Sequence, residues 1–150
     1  MQPEAVLREV DAWIKKAESD FRNIYLVLPA GDAPFDTVCF HAQQASEKYL
    51  KALLTFLGIP FIKTHDLPEL LLLLPDDSSV PAEVGDLSDL TDAAITSRYP
   101  GDFLEYDRNV AEEMTHKAET VKSSVLSELA RRDYVPKFLF DDYGSDYKRV

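Results

Sequence analysis

The chain has one cysteine, five glycines and no long apolar run. A lone Cys39 excludes an intramolecular disulfide framework and agrees with a reducing compartment. The glycines are scattered at helix ends, so no glycine-rich loop is available to cradle a phosphate. The longest apolar run, Leu70 to Leu74, stops after five residues at Pro75. A bilayer crossing takes about 20 residues, so no membrane association is expected. Met1 leads straight into charged, helix-forming sequence, and a cytoplasmic protein without a secretory leader is expected. Histidines are few: His41, His65 and His116 lie 24 and 51 residues apart, with no HExxH and no Cys/His cluster. The one Glu-x-x-His match, Glu113 to His116, lacks the second that a di-metal bundle needs. Neither a metal nor a cofactor is expected.

Basic residues are also scarce, 16 Lys and Arg against 27 Asp and Glu, for a net charge of −11. That balance argues against a non-specific grip on nucleic acid backbone. The excess is local. Residues 1–65 carry 7 basic and 8 acidic side chains, whereas residues 76–113 carry 11 acidic ones and only Arg98 and Arg108. An anionic ligand is therefore expected near Lys48, Lys51 and Lys63, with the acidic stretch as solvated surface.

What remains is a chain that is 45% hydrophobic and 29% charged, the composition of a folded soluble domain. At 150 residues it is long enough to bury a core as one domain. Val6, Val10, Trp13, Ile14, Ala17, Phe21, Ile24 and Leu28 recur at three- and four-residue steps, predicting a helix over 4–28. Pro29-Ala30-Gly31 ends it. A second helix is predicted over 36–57, with Val38, Ala42, Ala45, Tyr49, Leu53 and Phe56 or Leu57 as its apolar stripe and Gly58 as its stop. The short connection makes the two antiparallel neighbours. Asp66 and Glu69 have capping-box spacing and open a short third helix that ends before Pro75. A single fourth helix is expected from a Ser79 cap through Val84, Leu87, Leu90, Ala94 and Ile95 to about Ser97. A fifth should cover 107–130. No segment shows sustained two-residue alternation, so the reading is all-α, an antiparallel up-and-down bundle of four to five helices. Residues 131–150 carry Tyr134, Val135, Phe138, Leu139, Phe140, Tyr143 and Tyr147. They are read as a C-terminal extension packed on the bundle or on a partner.

On the second helix His41, Gln44, Lys48 and Lys51 advance by three, four and three residues, which stacks them along one face, with Glu47 four residues before Lys51. The plain reading is a solvated face with one weak ion pair. The alternative brings in His65-Asp66 at the start of the third helix and Arg98 at the end of the fourth. Helix ends and a polar face can converge on one groove, where Gln44, Lys48, Lys51, His65 and Arg98 would bind a phosphate or carboxylate. Glu47 and Asp66 would orient them. A third reading makes Gln44, Glu47, Lys48 and Lys51 a buried, hydrogen-bonded network at a dimer interface.

The chain resembles the HEPN domain family. The resemblance is carried by Trp13, Ala17 and Asp20, by the run Phe40-His41-Ala42-Gln43-Gln44-Ala45-Ser46-Glu47-Lys48-Tyr49-Leu50-Lys51-Ala52-Leu53-Leu54, by Lys63-Thr64-His65-Asp66-Leu67, and by Arg98-Tyr99-Pro100. It covers about residues 5–130. The resemblance implies a prokaryotic helical bundle that forms homodimers, binds a nucleotide in a groove, and works beside a minimal nucleotidyltransferase in a toxin–antitoxin-like pair. It also implies that many members are metal-independent RNases, with an Arg followed after four to six residues by His on the last long helix. Arg98 has no such His here, and Arg108 and His116 have seven residues between them. At 100° per residue those two side chains sit about 80° apart around the helix and about 12 Å apart along it. Glu112 and Glu113 add negative charge where a phosphate would approach. A non-catalytic, nucleotide- or anion-binding member is expected, with an RNase using Arg98 or Arg108 with His116 or His65 as the alternative, and a purely structural module as a third.

Overall fold

The computed structural model describes residues 2–96 and 106–137, with the side chains of 93–96 outside that description. Six helices follow one another: α1 (Glu4–Val27), α2 (Phe35–Phe56), α3 (Leu67–Leu72), α4 (Val80–Val84), α5 (Ser88–Thr96) and α6 (Arg108–Arg131). Among the described residues there is no strand, and no helix is long and apolar enough to cross a membrane.

Side-chain partners fix the directions. Asp20 of α1 meets Lys48 of α2, and Trp13, earlier in α1, meets Lys51, later in α2. The two helices are therefore antiparallel. Arg108 at the start of α6 lies over Phe35 at the start of α2, while Tyr134 beyond the end of α6 stacks on Phe56 at the end of α2, 5.7 Å between centroids. These two run parallel, so α3, α4 and α5 together form the returning arm. The result is an up-and-down bundle with one broken arm.

The break lies inside the segment expected as one helix from Ser79 to Ser97. Gly85 takes φ 67°, a left-handed conformation that suits glycine and ends α4. Asp86 then accepts from the backbone N–H (2.9 Å) and hydroxyl (2.6 Å) of Ser88, which restarts the chain as α5. Those two bonds, the hydroxyl first, hold the Asp86 carboxyl below the usual carboxylate range. Ser79 makes no side-chain cap; its hydroxyl donates to Glu83 and accepts from Arg131. By contrast Asp66 caps α3 by accepting from the Glu69 N–H, and Asp107 caps α6 by accepting from the Val110 N–H.

Helix α2 is the hub. It packs on α1, α6, α5 and α3, and 14 of its 22 residues are buried, so it is enclosed nearly all round rather than half exposed. Tyr49, Leu50, Leu53 and Leu54 meet Ile14, Phe21 and Ile24 of α1 and Val121, Val125 and Leu129 of α6 in one core. Each such large apolar side chain contributes about 1.5–3 kcal/mol by leaving water. Between α1 and α6 the contact is made by long side chains: Lys122 to Glu18 (2.8 Å) and Tyr25 to Glu119 (2.7 Å). Beyond α6, Asp133 adopts φ 65°, and the Tyr134 N–H returns to the Leu129 carbonyl. The Tyr134 hydroxyl donates to Asp11 at 2.6 Å, and burial followed by that carboxylate pushes its pKa above the ordinary phenol range. The expected contents of 138–150 lie outside the described residues.

Replacing Asp133 by glycine removes the left-handed penalty and should raise stability by about 0.5–1 kcal/mol in urea unfolding. Cys39 is buried, and desolvation, with Asp36 and Asp107 adding to it, pushes its thiol from 9.0 up to about 12. At pH 8 the native thiol should therefore react with a disulfide reagent about a thousand-fold more slowly than in the unfolded chain. Because the folded value is the higher one, Cys39 supports the fold below pH 9 and loses that contribution as the pH climbs towards 12.

Candidate functional site

The polar face of α2 resolves into two clusters, each built on a buried carboxylate. The first is Asp20 of α1, whose two oxygens accept from Lys48 Nζ (2.6 Å) and meet His41 Nδ1 (2.8 Å). His41 and Lys48 are two helical turns apart on α2, so one carboxylate opposite them reaches both. The His41 and Lys48 side chains stay partly accessible, at 23% and 20%.

The second cluster centres on Glu47, 4% exposed. Its Oε2 accepts from Lys51 Nζ at 3.0 Å, and its Oε1 meets His65 Nδ1 at 2.7 Å and accepts from Gln43 Nε2 at 3.2 Å. Gln43 Nε2 also donates to the His65 backbone carbonyl at 2.9 Å, and Gln44 Nε2 donates to Gln43 Oε1 at 2.7 Å. Lys51 is 5% exposed, its ammonium 5.6 Å from the Trp13 ring centroid and 5.7 Å from that of Phe61. Those two rings meet edge to face. Cation–π attraction and the Glu47 carboxylate together replace the water that Lys51 gives up. The His65 side chain, at 61% exposure, is the open end of this chain of bonds.

The expected residues thus divide. Gln44, Glu47, Lys51 and His65 belong to one connected network. Lys48 joins His41 on Asp20 instead. Asp66 serves the α3 N-terminus, and Arg98 lies outside the described residues. Lys51 faces inward, so the stripe expected as one polar face is partly interior. Asp20, Gln43 and His41 are members that the groove reading does not include. The signal for Asp20 is present in the chain: it stands in the repeat Val10, Trp13, Ala17, Asp20, Ile24, where a carboxylate inside an apolar stripe asks for a partner.

Arg108 has a different employment from the one an RNase would need. Its guanidinium donates to the Leu28 and Ala30 carbonyls, both at 2.8 Å, closing the end of α1. His116 is exposed on α6, eight residues further along. Among the described residues no three His, Cys, Asp or Glu side chains come together as a metal site would require.

The structure is thus a four-armed helical bundle whose second helix carries cations held by buried carboxylates. The HEPN domain family model matches residues 10–129, and the chain belongs to that family. No curated protein and no solved structure matches it.

The Glu47–Lys51 pair should be costly to break from one side only. Glu47→Ala leaves the Lys51 ammonium buried without its carboxylate, and a loss of about 3–5 kcal/mol is expected in denaturant unfolding. Lys51→Met, which keeps the packing between Trp13 and Phe61, should lose less in the Glu47→Ala background than in the wild type. Equal losses in both backgrounds would show that the pair is uncoupled.

Proposed function

We propose that this HEPN protein is a non-catalytic binder of a nucleotide or comparable phosphate-bearing anion, acting as a homodimer with a minimal nucleotidyltransferase partner in a toxin–antitoxin-like pair. The observation that carries the reading is the reachable donor edge along α2. Asp20 takes one N–H of Lys48 and leaves two, and the rings of His41 and His65 are each held by Nδ1 on a carboxylate. In such an arrangement Nε2 is the nitrogen left to meet a ligand. Gln44 stands between His41 and Lys48 on the same face, and Arg98 completes the proposed set of contacts. Glu47 and Lys51 support the site from behind. Their burial favours a structural role for those two residues, whatever binds at the edge.

The dimer and the partner rest on family membership alone. An RNase role is the weaker reading, because Arg108 holds the end of α1 and His116 stands off it. Titration calorimetry with ATP and other nucleotides tests the binding site. Binding should weaken about tenfold or more in Lys48→Ala, which removes a hydrogen-bond donor to the anion. Absence of heat at millimolar nucleotide, or affinity unmoved by Lys48→Ala, would overturn it.

A further inference from the structure

We infer that His65 is a phosphoryl-acceptor histidine, taking phosphate on Nε2 from a small donor with a labile phosphorus–nitrogen bond. This stands on the Glu47–His65 geometry and does not require nucleotide binding. Glu47 Oε1 lies 2.7 Å from His65 Nδ1, which in the neutral ring sets the proton on Nδ1 and leaves the lone pair on Nε2. The carboxylate is not free to turn away. Lys51 holds its other oxygen, Gln43 holds the same oxygen as His65, and Gln43 also ties down the His65 backbone carbonyl. Ring and backbone are thereby fixed to one helix, which is the preorganisation a nucleophile needs. At 61% side-chain exposure the ring stands open to a donor from solvent.

The other two histidines differ in one respect each. His116 is exposed, but among the described residues no carboxylate holds its ring. His41 has the carboxylate, yet its ring is 23% exposed, sits edge to face against Phe40, and shares Asp20 with the Lys48 ammonium. Of the three, His65 alone combines a largely exposed side chain with a carboxylate on its Nδ1 side.

The step balances with phosphoramidate as donor. The Nε2 lone pair attacks phosphorus, the phosphorus–nitrogen bond of the zwitterionic donor breaks, and ammonia leaves neutral with the bonding electrons. The phosphorylated ring keeps its Nδ1 proton and becomes positive, and the Glu47 carboxylate against that N–H balances the charge. The carboxylate thus favours the charged product over the neutral starting ring.

The test treats the full chain with potassium phosphoramidate near neutral pH, follows acid-labile phosphate by phosphorus NMR, and places it by peptide mass spectrometry. Within one molecule His65 should be labelled on the order of tenfold faster than His116, the exposed histidine without a carboxylate. His65→Gln should abolish the fast phase and leave the His116 rate in place. Glu47→Gln, checked for native helicity by circular dichroism, should bring His65 down towards the His116 rate. Equal rates at His65 and His116 in the wild type would overturn the assignment, and that ratio decides whether or not Glu47→Gln folds. Loss of nucleotide binding with the fast His65 phase intact would count against the groove reading alone.

Discussion

Glu47 is a buried carboxylate, and the bundle is arranged around satisfying it. Three groups replace its hydration: the Lys51 ammonium, the Gln43 amide and the His65 ring. Each reaches into a different part of the molecule. Lys51 lies against Trp13 of α1 and Phe61 of the connection to α3. His65 brings the last turn of that connection onto α2, and Gln43 locks its backbone. One buried charge therefore sets how α1, α2 and the start of α3 meet. A hydrophobic core alone tolerates sliding between helices of this kind; an ion that must keep its partners does not, and the registry it imposes is the natural use of a buried pair.

The same constraint shapes what the surface offers. Because Lys51 is turned inward, the face of α2 does not present a row of free cations. It presents groups whose positions are set from behind by carboxylates: Lys48 and His41 on Asp20, His65 on Glu47. Such groups lose little freedom on meeting a ligand, which favours orientation over bulk electrostatic attraction. The chain's net charge of −11 likewise repels polyanions at long range. Membership of the HEPN family sets the class of molecule. Arg108, at the start of α6, is spent on closing the end of α1.

Much of the fold is legible along the chain because α1, α2 and α6 are long and strongly periodic, and Asp66 is a good cap. The returning arm reads as one helix after Ser79 because Val84, Leu87, Leu90 and Ala94 keep a helical rhythm across Gly85. Rhythm alone does not reveal that the glycine takes a positive φ, or that Asp86 and Ser88 make a new start there. On α2 and in the connection after it the residue types of the network are legible, since Gln44, Glu47, Lys48, Lys51 and His65 all stand in it or beside it. Their burial is not. A polar residue on a helix looks solvent-facing until the neighbours are placed, and α2 has neighbours on nearly every side.

The sequence by itself determined which segments are helical, where three of them are capped or stopped, and that one helix concentrates charge and hydrogen-bonding capacity. These follow from local preferences and spacing within a few turns. Only the tertiary structure decided the pairings between distant residues: Asp20 with His41 and Lys48, Glu47 with His65, Arg108 with the end of α1. Their sense depends on which face each helix buries. The physical reason is desolvation, which acts on a side chain only once the helices around it have closed.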